Sequence, residues 1–211
     1  MVEDISEYEK DSVISIEEGI MRKGIRPVFV VLVLTASPAI APFASAFRSP
    51  RTNPQRNEAK YKERLIKEVR HELRLLPYYT VFDNLAFKVE GDKVTLLGQV
   101  VRPTLKSDAE AAVKSIEGAA AVVNDIEVLP VSPMDDQLRR AVYQAIYGDA
   151  ALSRYGFQAM PSIHIIVKNG NVTLEGVVDS ESDKNLANLR ASAVPNAFSV
   201  KNNLTVASSA K

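Results

Sequence analysis

The sequence predicts an α+β protein built from two tandem copies of one α-β-β-α-β sandwich unit, each a small three-stranded sheet with two helices on one face. Three observations predict it. Residues 92–100 (DKVTLLGQV) line up with residues 170–178 (GNVTLEGVV) at an offset of 78. At that same offset Leu85, Phe87 and Val89 fall on Ile163, Ile165 and Val167, while Val122, Asn124, Ile126 and Val128 fall on Val200, Asn202, Leu204 and Val206. Upstream, Leu65, Val69 and Leu73 match Leu138, Val142 and Ile146 at an offset of 73, so the second copy carries five extra residues between its first helix and first strand. Self-similarity over this length, without a gap through the strands, marks a duplicated unit.

Each element follows from its local pattern. Residues 1–20 form an acidic extension with seven acidic residues and one lysine, unlike the front of an export signal, so initiation at Met21 is the expectation. Residues 21–46 carry the three parts of a signal peptide: the basic stretch Met21 to Arg26, the apolar run Pro27 to Leu34, and the small-residue site Ala44-Ser45-Ala46. The same stretch from Pro27 to Phe47 is uncharged and about long enough to act instead as a membrane anchor. A polar linker is expected over residues 47–59, then the first unit over 60–131 and the second over 134–208.

Within the first unit, Leu65, Ile66, Val69, Leu73 and Leu76 recur at helical spacing, and Leu138, Val142, Ala145 and Ile146 repeat the pattern in the second. Alternating strands follow, with Leu85, Phe87 and Val89 on one parity and Val94, Leu96 and Val100 facing inward from the next. They are joined at Gly91-Asp92 and Asn169-Gly170, the second being the stronger hairpin signal because both central positions of that turn need positive φ. Second helices open at Pro103 and at Ser180, with buried stripes expected at Ala109, Ala112, Val113 and Ile116, and at Leu186, Leu189 and Ala193. Closing strands are expected over Val122 to Leu129 and Ser199 to Val206. Gly98 and Gly176 stand on the inward parity of the second strand, where a close approach of a helix, or a bend in the strand, would demand glycine.

Composition narrows the function. The 211 residues carry 26 basic and 26 acidic side chains, which argues against a protein that coats nucleic acid. There is no cysteine, so thiol nucleophiles, disulfides and cysteine-based metal sites are excluded. His71 and His164 lie at different positions of the two copies and form no metal-ligand spacing, and there is no glycine-rich phosphate loop. Asp135-Asp136 precede Leu138, where acidic residues favour a helix N-terminus. The expectation is a protein without catalytic, metal or cofactor residues.

Binding surfaces have better candidates. From Arg48 to Arg74 nine Lys or Arg stand against four Glu. A helix bearing Arg64, Lys67, Arg70 and Arg74 suits anionic lipid head groups, or is a solvated face paired internally with Glu63, Glu68 and Glu72. The insertion of the second copy holds Tyr155, Gly156, Phe157 and Met160, with Arg139, Arg140 and Arg154 nearby in sequence. Those aromatics suit either insertion into a membrane interface or packing over the sheet and the seam between units. Pro77-Tyr78-Tyr79 and Phe82 show the same aromatic habit in the first copy.

The stretch from Phe87 to Val100, the Ala-rich helix after it and residues 120–128 (AAVVNDIEV) resemble the BON domain of bacterial osmotic-stress periplasmic proteins and envelope lipoproteins. Residues 165–178 and 197–206 (AFSVKNNLTV) repeat the resemblance, which covers about 145 residues. Unlike the lipoprotein members, this chain has no cysteine to lipidate, and residues 120–121 and 198–199 depart from the Gly-Val usual before the last strand. The resemblance implies an exported, periplasmic protein that attaches to phospholipid membranes and supports envelope integrity, or one that binds exported polypeptides in a chaperone-like way.

Overall fold

The computed structural model describes residues 14–15, 54–158 and 161–207. The expected export signal at 21–46, its anchor alternative and Met160 lie outside the described residues. Among the described residues no helix is long and apolar enough to cross a membrane.

A two-residue strand, β1 (Ile14–Ser15), precedes the first unit, which runs α1 (Pro54–Arg74), β2 (Asn84–Glu90), β3 (Lys93–Val100), α2 (Pro103–Lys114), β4 (Ala121–Asn124) and β5 (Glu127–Val128). The second unit runs α3 (Pro133–Tyr147), a 3₁₀ turn at Ser153–Tyr155, β6 (Ile163–Lys168), β7 (Asn171–Val178), α4 (Glu181–Ser192), β8 (Ser199–Asn202) and β9 (Thr205–Val206). Helix α1 begins inside the stretch expected to be a linker. Pro54 suits the first turn, where no backbone N–H is required, and the charged residues after it continue the helix.

Each sheet is an antiparallel hairpin with a third strand running parallel to its second member. β2 pairs β3 with Phe87 opposite Leu96, and β6 pairs β7 with Ile165 opposite Leu174. The third strand is interrupted in both units. β4 and β5 both pair with β3, and β8 and β9 both with β7. One asparagine per unit makes the interruption. Asn124 Oδ1 accepts from the Ile126 N–H (3.3 Å) while its amide donates to the Lys106 carbonyl of α2 (2.9 Å). Asn202 does the same with Leu204 (3.1 Å) and with Lys184 of α4 (2.8 Å). The break turns Ile126 and Leu204 into the core, and it satisfies backbone groups that would otherwise be orphaned.

Two cores result. Leu65, Val69, Leu73, Leu85, Phe87, Val94, Leu96, Leu105, Ala109 and Val113 close the first, so both helices cover one sheet face. Leu138, Val142, Ile146, Ile163, Ile165, Val172, Leu174, Ala187 and Ala191 close the second. The stripe expected on α4 is rotated: Ala187 and Ala191 are buried, whereas Leu189 is 63% exposed and Ala193 is exposed. These alanines occupy the positions of Ala109 and Val113 at the offset of 78, so the repeat carries the register that local hydrophobicity obscures.

Gly98 and Gly176 have φ of +111° and +116°. A Cβ there would lie 2.1 Å from the Asn84 carbonyl oxygen and 2.0 Å from that of Ser162. The close neighbour is therefore the adjoining strand's own backbone and not a helix, so the bend in the strand is the reason for glycine. Asn169 and Gly170 adopt φ of +52° and +77°, the two positive values expected of an Asn-Gly hairpin.

The units meet through the segment between α1 and β2. The Ile165 N–H donates to the Val81 carbonyl (2.8 Å) at the outer edge of β6, and Val81 is buried in the second core. The Tyr79 and His164 rings lie 5.5 Å apart, Phe82 meets Tyr143 edge-on at 6.1 Å, and Lys168 pairs with Glu127. Of the aromatics of the first copy, Tyr79 and Phe82 thus serve the seam between units, while Tyr78 is exposed under Arg102.

Candidate functional site

Residues adjacent in sequence within the expected surface of the second unit are separated by the fold. Arg139 is buried, 3% exposed, with one arm of its guanidinium donating to the Val167 carbonyl (2.7 Å) and the other paired with Asp136. Tyr155 is also buried, 2% exposed. Its hydroxyl accepts the Asp179 N–H (2.9 Å) and donates to Asp183 (3.0 Å), a carboxylate that Arg154 also reaches at 2.7 Å. Val167 faces the start of β7 and Asp179 follows its end, so the Arg139 and Arg154 anchors are roughly 20 Å apart along the strand. Arg140 and Phe157 are exposed, Phe157 at 85%.

Tyr155 replaces a device of the first unit. There Asp83, 1% exposed, accepts the Val101 N–H (2.7 Å) just past β3 and takes a second bond from the Thr80 hydroxyl (2.7 Å). The offset of 78 puts Pro161 at the Asp83 position and Asp179 at that of Val101. Proline cannot accept that bond through its side chain, and the insertion supplies Tyr155 to do so. The Tyr155 phenol is pushed up by burial, which keeps it protonated as a donor to Asp183. Burial also acts to raise the Asp183 carboxyl, but hydrogen bonds from Ser180 and Tyr155 and the Arg154 charge outweigh it and hold the group below its ordinary range.

On α1, Arg64 pairs with Glu68 at 2.9 Å and Lys67 with Glu63 at 3.2 Å, the internal pairing of a solvated face. Arg70 and Arg74 are half-buried. His71 is exposed and His164 lies in the seam, so the structure does not bring the two histidines together. Among the described residues no group of three or more His, Cys, Asp or Glu side chains is arranged to hold a metal.

The structure assembles a surface that periodicity did not single out, at the hairpin end of the second unit. Asp135, 2% exposed, accepts the N–H groups of Asn169 (2.9 Å) and Gly170 (2.8 Å), pinning the turn to the start of α3. Ser132 caps that helix by accepting the Asp135 N–H (3.2 Å). Phe198 donates its N–H to the Gly170 carbonyl (2.9 Å) and lays its ring against Gly170. Met134 and Phe198 flank this clamped turn at 63% and 82% exposure, with Lys168 beside it. Two large apolar side chains on a rigid tip are what interfacial insertion uses. Phe198 sits where the first unit has Ala120, a difference between the copies visible in the sequence.

The BON domain family profile matches residues 63–130 and 135–208. No curated protein matches the chain. Two solved structures of CdsD, a structural protein of the type III secretion system of Chlamydia trachomatis, are similar to it at 13% and 14% identity, each with a TM-score of 0.27. The first, of the C-terminal domain, spans 68% of this chain and 97% of its own, and the second 69% and 94%.

Proposed function

The chain belongs to the BON domain family, with two adjacent copies, and from that premise we propose that it is an exported, non-catalytic protein that associates with the phospholipid surface of the cell envelope. BON domains are associated with membrane and phospholipid binding. The observation that carries the reading here is the tip at Asn169-Gly170, where Met134 and Phe198 stand exposed on a turn clamped by Asp135. A fixed tip inserts its apolar side chains without first ordering a loop, which spares the entropy of fixing it. Lys201 is exposed on β8 and suits anionic head groups.

Co-sedimentation of the full chain with vesicles of neutral and of anionic phospholipid, at low and high salt, tests it. The expected result is association with anionic vesicles that weakens with salt, and at least a tenfold loss of affinity in the double variant Met134→Asp, Phe198→Asp. Association unchanged in that variant would reject the tip. No association under any condition would reject lipid binding.

A further inference from the structure

The corresponding sheet edge of each unit has a backbone partner, a turn in the second unit and a short strand in the first. In the second unit the outer edge of β6 is met by the first unit, whose Val81 carbonyl accepts the Ile165 N–H at 2.8 Å. Phe87 of β2 is the residue equivalent to Ile165 at the offset of 78. Opposite it lies β1, antiparallel, with Ile14 facing Phe87 and Ser15 facing Ala86. One edge is thus covered by a contact built into a core, and the other by a pairing of two residues. Thirty-eight residues, 16–53, separate β1 from α1, so the short strand is held as a tethered guest.

We propose that the outer edge of β2 is a strand-acceptor site for an extended polypeptide segment, and that β1 is its resident occupant. The chemistry of the resident describes the partner. Residues 13–16 (VISI) are rich in β-branched residues and are flanked by Asp11, Glu17 and Glu18. At the hairpin end of β2 the lysines are engaged within the unit: Lys88 pairs with Glu90 at 3.0 Å, and with Lys93 and Lys62 it holds that carboxyl below the ordinary range. Main-chain bonds give such a site its affinity. β1 lies in the acidic extension ahead of Met21, so a chain initiated at Met21 would carry this edge without its resident strand. The site deepens the expectation of polypeptide binding and stands apart from the membrane reading.

Fluorescence anisotropy of a labelled peptide of residues 9–18 (EKDSVISIEE) with the full chain tests it. Ile14→Pro in the protein removes a backbone N–H from the resident strand, and it is expected to raise affinity for the peptide at least tenfold over the unsubstituted chain. A lock is available as well. If Ile14 and Phe87 are the hydrogen-bonded pair, as the Ile165 contact indicates, then Ser15 and Ala86 are the close, non-hydrogen-bonded pair, about 4.5 Å between Cα atoms and within disulfide reach. The chain has no cysteine to compete. Oxidised Ser15→Cys, Ala86→Cys protein is expected to lose peptide binding, and reductant to restore it to the level of the unsubstituted chain. A peptide carrying Ile14→Pro is expected not to bind. Equal affinity of the Ile14→Pro and unsubstituted proteins, or of the oxidised and reduced lock, would overturn the proposal. The two pairs are independent, so misfolding of one variant leaves the other decisive. Vesicle co-sedimentation reads the membrane function separately, and suppression of aggregation of an unfolded protein by the Ile14→Pro chain reads polypeptide binding beyond this site.

Discussion

At the scale of single residues, similar positions in the two units solve one problem by different chemistry. The backbone N–H that follows the second strand needs an acceptor in a buried corner, and Asp83 supplies it in one unit and Tyr155 in the other. The phenol serves only because Asp183 holds its hydroxyl proton, and Asp183 is in turn held ionised by Arg154 and Ser180. The folded carboxyl is depressed, so its stabilisation is present above the unfolded carboxylate range near pH 4 and is lost as pH falls through the folded value. Asp183→Asn is therefore expected to be less stable than the unsubstituted protein at pH 7, by about 1–3 kcal/mol for a charged, hydrogen-bonded group. The deficit should shrink steadily between pH 5 and pH 2. Urea unfolding across that range checks it, and a deficit that does not vary with pH would remove the role given to the ionised form.

At the scale of elements, helix α4 shows how far amphipathic spacing can mislead. Leu186 and Leu189 attract attention because they are the largest apolar residues of the helix, yet Leu186 packs only partly buried against the core, Leu189 is exposed, and the fully buried face is made of Ala187 and Ala191. Small residues let the helix lie close to β7 and β8, and the volume they leave is filled by the sheet's own Val172, Leu174 and Val178. Ala191→Leu is expected to destabilise the second unit by about 1–3 kcal/mol through overpacking, whereas Leu189→Asp should change stability by no more than about 0.5 kcal/mol. Urea denaturation of the two variants in parallel decides between the observed face and the one local hydrophobicity predicts. Asn202 also ties the helix to its neighbour strand by donating to the Lys184 carbonyl.

At the scale of the whole molecule, the units are joined by more than the short stretch Pro130 to Pro133. The segment Tyr79 to Asp83 leaves α1, places Val81 in the core of the other unit and lends its carbonyl to β6. Small units gain most from such sharing, because neither buries much surface alone. Val81→Asp puts an unpaired charge in that seam and is expected to cost about 3 kcal/mol or more. It should also split a single calorimetric unfolding transition into two. A single transition of unchanged midpoint in Val81→Asp would show that the seam contributes nothing to cooperativity.

What the sequence determined by itself is the repeated unit: the order of elements, the parity of the inner strands, the Asn-Gly turn and the need for glycine at positions 98 and 176. Each of these is written in a local period or in the offset of 78, and local periods survive without knowledge of the partner. The sites were less legible. Arg139 and Tyr155 read as surface candidates because charge and aromaticity look alike on a membrane face and in a buried hydrogen-bonded corner. Only the tertiary structure decided between them, by placing the Val167 carbonyl and Asp183 within reach. The exposed tip of Met134 and Phe198 and the strand-receiving edge of β2 arise where segments distant in the chain meet, as Asp135 meets the turn at Gly170 and Ile14 meets Phe87. Such meetings depend on side-chain and backbone groups finding partners across space, a requirement that no local pattern records.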